Sequence, residues 1–226
     1  AAEALNDMQA RIRGYIVERT SVVGAIAHDL RTPLSRLKFH LDLAPVDEPF
    51  RRRLEAEIDE MEQMIAASLQ FAGAEARAQV HERIDLTLLV EGIIDDLTDL
   101  GSPVSLKDAE PTIVVGDPLL LKRLFTNLIN NAVTYGSRAL VSIQHDCERA
   151  IVDVDDEGPG LEGASLDRAF EPFYRAESSR NRMTGGMGLG LAIVKAAANS
   201  HGGDVELRNR AEGGLRARVS LPLELT

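Results

Sequence analysis

A histidine and an acidic residue, His28 and Asp29, stand side by side in the stretch AIAHDLRTPLSRL, which spans positions 25–37. A neutral imidazole nitrogen is a nucleophile near neutral pH, and an adjacent carboxylate can hold the other ring nitrogen and accept its proton. On a helix, His28 lies about 180° from the midpoint of Ile26 and Leu30. If that apolar pair faces a core, His28 faces outward, where chemistry is possible. An ordinary surface histidine is the alternative that these residues leave open.

Thr32 and Pro33 extend this polar patch by one helical turn. Thr32 is predicted on the same face as His28. Pro33 removes a backbone N–H and frees the carbonyl group of Asp29, so the sequence predicts a kink. No spacing of cysteine and histidine suggests a zinc site. The remaining histidines have no comparable neighbours and are interpreted as structural: His40, His81, His145 and His201.

Two asparagines four positions apart, Asn127 and Asn131, lie in the segment LFTNLINNAVTYG. This spacing places them on one face of a helix. An amide side chain offers a neutral oxygen to a hard cation and an NH₂ group to a phosphate. Mg²⁺ that arrives with ATP keeps several waters, so one amide oxygen is sufficient as a protein ligand. Either residue alone could equally be a helix-surface amide.

Two glycine-containing segments supply further groups that could bind a nucleotide. Asp156 precedes a Gly-Pro-Gly turn, where its carboxylate could accept a hydrogen bond from the amine of a base. Gly158 and Gly160 allow the backbone to approach a flat ligand, although a simple loop is the alternative. The glycine-rich loop at 185–190 leads into a helix whose first N–H groups would face phosphates. The polar segment at 173–186 before this helix is predicted to be a mobile lid.

The elements that must position these residues fall into two parts. Residues 15–44 carry apolar side chains mostly three, four or seven apart, which predicts one long helix. A second amphipathic helix follows the proline-containing break at 44–49, and two such helices form a hairpin. A dimer that makes a four-helix bundle would cover the apolar stripes that one hairpin leaves open. After about residue 80, β-like runs are predicted at 103–107, 112–115, 139–146, 150–156, 204–209 and 215–223, and helices at 86–100, 118–135 and 188–200.

Composition limits the classes of function. There are 36 acidic and 25 basic residues, a formal net charge of −11, which argues against nucleic acid as the main partner. Cys147 is the only cysteine, so an internal disulfide is impossible. No apolar run approaches the roughly 18 residues of a membrane-spanning helix. The sequence begins without methionine or signal peptide, so we expect it to be an excerpt of a longer protein.

Five segments, in order, resemble the motifs of two-component sensor histidine kinases of the osmosensor-like class. HDLRTPL resembles the phosphoacceptor box, NLINNAVTYG the asparagine box, DEGPG the first glycine box, FEPFYR the phenylalanine box and GMGLGLAIV the second glycine box. The resemblance implies an α+β fold, with a hairpin that forms a four-helix bundle in the dimer, then a gyrase-like two-layer α/β sandwich that binds ATP. It implies a signal-relay linker helix ending over 1–14, a dimerisation and histidine phosphotransfer domain over 15–76, and an ATP-binding domain over 80–226.

The resemblance also implies roles in catalysis and a partner. His28 would take the γ-phosphoryl group of ATP, and Asp29, which is Glu in many relatives, would act as its base. An aspartate on a response regulator receiver domain would then receive the phosphoryl group. Thr32 occupies a position linked in the family to the reverse reaction, removal of phosphate from the regulator. The enzyme would be a homodimeric protein-histidine kinase.

The cofactors implied are ATP and Mg²⁺. Asn131 would ligate the metal with Asn127 nearby, and Asp156 would bind the adenine amino group. Tyr135 would sit near the base and Arg175 would contact phosphates. The glycine boxes contribute the other nucleotide-binding positions: Gly158, Gly160, Gly186, Gly188, Leu189 and Gly190.

The N-terminal segment LNDMQARI resembles the last helix of a linker that follows a membrane span. The intact protein is therefore expected to be a sensor of the bacterial inner membrane, with this chain in the cytoplasm and attached to the membrane only through an absent N-terminal part. An alternative is a gyrase-like ATPase, but such relatives carry Glu at the position of Asn127, and an amide is a poor base for water. A serine/threonine kinase of the anti-sigma type would lack the histidine hairpin. A degenerate dimer scaffold is the non-enzymatic alternative.

Overall fold

A computed structural model describes residues 2–76, 82–175 and 188–224. The chain divides into two compact units, Ala1–Arg77 and Ala78–Thr226. The first unit is a pair of long helices, and the second combines helices with a mixed β-sheet. The α+β fold class predicted from the sequence is confirmed.

The first unit is a helical hairpin formed by α1 (Ala2–Leu43) and α2 (Glu48–Ala76). The last carbonyl groups of α1 have no partners within their own helix. Arg51 of α2 binds one of them, because its guanidinium donates to the carbonyl oxygen of Leu41 over 2.7 Å, and it also donates to that of Ala44, just after the helix, over 3.0 Å. The same arginine thereby fixes the connection between the helices.

The buried seam of the single hairpin lies C-terminal to Ile26 and Leu30 on α1. Leu34 and Leu41 of α1, one heptad apart, pack with Ile58 of α2, and each is 6% exposed. Ile26 and Leu30, which the sequence pattern placed on the buried side, are 54% and 45% exposed within the chain. Their burial stays a prediction for the dimer, because one neighbouring helix covers only part of a wide apolar stripe.

The second unit is organised around a five-stranded sheet in the order β2-β4-β5-β7-β6. The β2–β4 pair is parallel and the other pairs are antiparallel. A separate antiparallel pair joins β1 to β3. The strands are β1 (Glu82–Asp85), β2 (Val104–Ala109), β3 (Ile113–Gly116), β4 (Ala139–His145), β5 (Arg149–Asp156), β6 (Asp204–Asn209) and β7 (Leu215–Pro222).

Four helices of this unit are described: α3 (Leu86–Asp99), α4 (Pro118–Gly136), α5 (Gly163–Arg168) and α6 (Gly190–Ser200). Local sequence explains two of their starts. Asp85 caps α3 by accepting from the N–H of Leu88 over 3.0 Å. Asp117 caps α4 by accepting from the N–H of Leu119 over 2.9 Å, and Pro118 follows at the first helical position, where no N–H is needed.

The core joins one face of the sheet to α3, α4 and α6, which gives the two layers of an α/β sandwich. Alternate residues of each strand enter this core, as the period of a half-buried strand requires. The largest fully buried side chains include Phe125, Leu121, Ile143, Val152 and Leu221. The opposite face of the central strands carries charged pairs, with Asp153 and Asp155 of β5 bonded to arginines of β7.

In the part of the chain that the structure describes, no helix is long and apolar enough to cross a membrane.

Candidate functional site

The described part of the second unit contains a cavity of about 270 Å³, lined by residues of α4, β5, β7 and the start of α6. Its walls are largely apolar, with few polar groups, as is usual for sites that bind a flat organic ligand. The apolar walls are formed by Leu128, Ala132, Val154, Leu161, Ala169, Leu191, Leu207, Leu215 and Ala217.

Asp156 is the buried carboxylate of this cavity. It ends β5 and is only 8% exposed. Its Oδ1 accepts hydrogen bonds from the N–H of Gly158 over 2.8 Å and from the N–H of Leu215 over 2.9 Å. Burial raises the pKa of the Asp156 carboxyl, while these two hydrogen bonds act in the opposite direction. Because both bonds use Oδ1, Oδ2 is left as an acceptor that neither of them occupies.

Three glycines allow the backbone to close around Asp156. A Cβ atom at Gly136, the last residue of α4, would overlap the side chain of Asp156. A Cβ atom at Gly158 would lie 2.8 Å from the carbonyl oxygen of Tyr135, and one at Gly214 would overlap the carbonyl oxygen of Asp156. The carboxylate is thus held by backbone contacts that larger residues would disrupt.

The helix α4 brings two of its three predicted residues to the cavity. Asn131 and Tyr135 line it, one helical turn apart. The amide of Asn131 lies beside the start of α6, where a Cβ atom at Gly190 would be 3.5 Å from its Nδ2. Asn127 is one turn earlier, half-buried, and is not among the lining residues.

The N-terminus of α6 completes another edge of the cavity. Gly188 and Gly190 line it, whereas Leu189 is buried and occupies the N-cap position. Leu189 has no side chain that can cap this helix, in contrast to Asp85 at α3 and Asp117 at α4. The first N–H groups of a helix have no intrahelical acceptor, so those of α6 could bind an anion. Gly186 lies outside the described residues.

The phenylalanine box is held against both α5 and Gly188. The hydroxyl of Tyr174 donates to Oγ of Ser165 over 3.0 Å, and the guanidinium carbon of Arg168 lies 4.4 Å from the centre of the Tyr174 ring. The N–H of Phe173 donates to the carbonyl oxygen of Gly188 over 3.0 Å. Arg175 lines the cavity. Of the lid predicted at 173–186, positions 176–186 lie outside the described residues.

The residues predicted for phosphoryl transfer lie in the other unit, on α1. Asp29 and Thr32 are exposed. His28 belongs to the same helix, but its side chain lies outside the described residues, so its outward placement stays a prediction. The helix continues through Pro33 without an interruption.

Sequence reasoning did not find every residue at the cavity. Ser165 and Tyr174 line it. Tyr174 stands inside a motif that was singled out for its neighbouring arginine, so it could have been found. Ser165 lies on a six-residue helix with no buried residue, which gives no periodic signal.

The fold and the cavity together define a class: a nucleotide-binding α/β domain that follows a helical hairpin. Comparison with known families identifies a domain in each of these two parts. Residues 18–77 match the His Kinase A (phospho-acceptor) domain, and residues 116–225 match the histidine kinase-, DNA gyrase B-, and HSP90-like ATPase domain. The second unit therefore belongs to a family of ATP-binding domains.

Similar proteins match the chain along both of these domains. The chain is 40% identical to the sensor histidine kinase GtrS of Pseudomonas aeruginosa over 98% of its own length and 46% of that protein. It is 33% identical to the sensor protein RstB of Escherichia coli over 97% of its length and 52% of that protein. The chain thus spans about half the length of these relatives.

A solved structure of the mycobacterial sensor histidine kinase MprB superposes on 65% of the chain and 100% of that structure, with a TM-score of 0.56 and 28% identity. The chain belongs to the two-component sensor histidine kinases and contains both domains of their catalytic core. The family recognised from the five motifs is confirmed.

Proposed function

We propose that this chain transfers the γ-phosphoryl group of ATP to His28 and then passes it to an aspartate of a response regulator. The observation that carries the proposal is the cavity, in which a buried carboxylate, an amide and a helix N-terminus meet between apolar walls. This combination suits adenine, a metal-bound phosphate and free phosphate oxygens, respectively.

ATP would bind with its base against Asp156. The Oδ2 atom of this carboxylate would accept a hydrogen bond from the adenine amine, while Val154 and Leu215 cover the faces of the base. The phosphates would lie toward the N-terminus of α6, with Arg175 as a cationic contact. Tyr135 lines the same cavity and would sit near the base.

Mg²⁺ would enter with ATP and take Asn131 as its protein ligand. Among the described residues, no cluster of three His, Cys, Asp or Glu side chains offers a metal cage. An ion already held by phosphate oxygens and waters needs only one or two protein ligands, and an amide oxygen is a hard donor that suits it. The position of Asn131 beside Gly190 brings this ligand next to the proposed phosphate site. When bound, the ion would neutralise charge on the phosphates.

The proposed reaction moves one phosphoryl group twice. An imidazole nitrogen of His28 attacks the γ-phosphorus, the bond to the bridging oxygen breaks, and ADP leaves with that electron pair. Asp29 accepts the proton from the other ring nitrogen. In the second step a receiver-domain aspartate attacks the same phosphorus, and the nitrogen–phosphorus bond breaks. Thr32 would support the opposite reaction by orienting a water toward the phosphoaspartate of the regulator.

The hairpin supports a homodimer. Apolar side chains of both helices remain exposed in the single chain, and a second hairpin would bury them in a four-helix bundle. On α1 they include Ile26, Leu30 and Leu37, and on α2 Met61 and Met64. We further propose that the chain is the cytoplasmic part of an inner-membrane sensor, since sensor proteins such as RstB extend over about twice its length.

The experiment that tests this function follows the γ-phosphate in a single turnover. The protein is mixed with a limiting amount of γ-labelled ATP and Mg²⁺, and label on the protein is compared with free inorganic phosphate. Phosphoryl transfer predicts that protein-bound label appears before inorganic phosphate. A gyrase-like ATPase predicts inorganic phosphate with no labelled protein, and that result would overturn the proposal.

A further inference from the structure

We propose that Asn209 and Arg210, at the end of β6, are positioning residues that hold the base-binding part of the cavity from outside. Neither residue is among those that line the cavity. The inference rests on the proposed nucleotide site, because it assigns these residues a role in recognising the base. Both act through the loop that follows β5.

Asn209 holds the backbone of Leu161 by two hydrogen bonds. Its Oδ1 accepts from the N–H of Leu161 over 2.9 Å, and its Nδ2 donates to the carbonyl oxygen of the same residue over 2.7 Å. Only one orientation of the amide satisfies both bonds, so the side chain pairs with the backbone of Leu161 as a neighbouring β-strand would. Gly160, with φ +71°, leaves the space that Asn209 occupies, since a Cβ atom there would lie 2.5 Å from Oδ1.

Arg210 holds Asp156 from the opposite direction. Its Nη1 donates to the carbonyl oxygen of Asp156 over 2.6 Å, and its Nε lies 3.6 Å from Oδ2 of Asp155. Asp155 is itself fixed by two bonds from Arg216, of 2.6 and 2.7 Å. The guanidinium of Arg210 is thus anchored on one side and supports the backbone of Asp156 on the other.

The turn between β6 and β7 adds a third connection. The N–H of Leu215 donates to Oδ1 of Asp156, and the N–H of Arg210 donates to the carbonyl oxygen of Gly214 over 3.0 Å. The β6–β7 pair and its turn therefore fix the backbone of Asp156, its Oδ1 atom and the backbone of Leu161. Because Asp156 and Leu161 both line the cavity, this pair of strands sets the distance between the proposed acceptor for the adenine amine and a wall of the base site.

This arrangement predicts a loss of selectivity for adenine when the contacts made by β6 and its turn to β7 are removed. Preorganised groups bind without an ordering cost, and a hydrogen-bonding site rejects a ligand that leaves its groups unpaired. Without Asn209, Leu161 and Asp156 can separate, so the site adapts to guanine as well as adenine. These bonds lie at the proposed base end of the site, so the maximal rate of phosphorylation should change little.

The experiment measures the affinities of Asn209→Ala for ADP and GDP with Mg²⁺ by calorimetry, beside the thermal unfolding midpoint. We expect ADP binding to weaken by about three- to tenfold, the loss of one or two modest hydrogen bonds, with GDP binding little changed. Autophosphorylation at saturating ATP should stay within about twofold of wild type. Arg208→Ala is the matched control, because Arg208 is exposed and bonds to Glu206 on the same strand over 2.7 Å.

A lowered unfolding midpoint with an unchanged ratio of ADP to GDP affinity would overturn the inference, because it would reveal a purely structural role. If Asn209→Ala fails to fold, Arg210→Lys decides by the same ratio, since lysine keeps the charge near Asp155 but loses the planar pair of donors. Equal affinity of the wild-type protein for ADP and GDP would refute the proposed base site itself, and the inference would fall with it.

Discussion

Replacing Asp156 by asparagine converts the Oδ2 acceptor in the cavity into an NH₂ donor and leaves Oδ1 as an acceptor. The amide retains Oδ1, so it can still accept from the N–H groups of Gly158 and Leu215. The NH₂ group takes the place of Oδ2 and donates where the carboxylate accepts. The adenine amine would then meet a donor, whereas the corresponding carbonyl oxygen of guanine would meet a suitable partner.

The expected magnitude follows from the loss of a hydrogen bond to a charged acceptor, about 1.5–3 kcal/mol. This corresponds to ATP binding weaker by about tenfold to about a hundredfold, with GTP gaining relative to ATP. Calorimetric titration of each nucleotide with Mg²⁺ measures both values. Asp153→Asn is the matched control: Asp153 lies on the same strand and bonds to Arg218 over 2.7 Å on the other face of the sheet. It should lower stability and leave nucleotide affinity unchanged.

The same variant has an expected pH dependence. Burial raises the pKa of Asp156, so its carboxyl group binds a proton more readily in the folded state than in the unfolded chain. The stability tied to this protonation is fully present below the ordinary carboxyl pKa and is lost as pH rises through the raised pKa. Asp156→Asn should therefore lose less stability than wild type between acid and neutral pH. Unchanged ATP affinity and unchanged base preference in Asp156→Asn would refute the assigned role.

Four further variants probe the nucleotide cavity, the dimer interface and the reverse reaction. Gly213→Ala and Gly214→Ala both place alanine at positive φ, which costs about 1–2 kcal/mol of folding stability. Only Gly214→Ala should also weaken ATP binding, because only its Cβ atom overlaps Asp156. Equal ATP affinities of the two variants would contradict this. Leu30→Asp should give a helical monomer in sedimentation, since a charge buried in the dimer costs several kcal/mol, and a stable dimer would place the interface elsewhere. Thr32→Ala should lose dephosphorylation of the regulator and keep autophosphorylation. Wild-type dephosphorylation would leave Thr32 only the role of satisfying a backbone carbonyl group at Pro33.

The sequence predicted the elements that have strong local signals. The long helices follow from apolar spacing. The start of α4 is indicated by the N-cap residue Asp117 and by Pro118 at the first helical position. Each predicted strand is present. The strand β1 was not predicted because four residues with one buried side chain, Ile84, give no period to detect. The contact of Leu34 and Leu41 with Ile58 was not specified by the sequence, because apolar spacing does not reveal which part of a wide stripe meets the second helix.

The cavity was predicted only in part. Asp156, Asn131 and the glycines stand in recognisable local motifs, so their presence at one site could be anticipated. Asn209 and Arg210 could not be found in this way, because their partners lie 48 and 54 positions away along the chain. Such contacts depend on how strands pair, and no local pattern in the sequence encodes that pairing.

The central claim is that His28 receives the phosphoryl group of ATP. The most direct measurement incubates wild type, His28→Ala and the matched control His40→Ala, another histidine of α1, with γ-labelled ATP and Mg²⁺. The account predicts acid-labile label on wild type and on His40→Ala, and none on His28→Ala, which should still bind ADP with wild-type affinity. Label that survives acid, or that persists on His28→Ala, would contradict it.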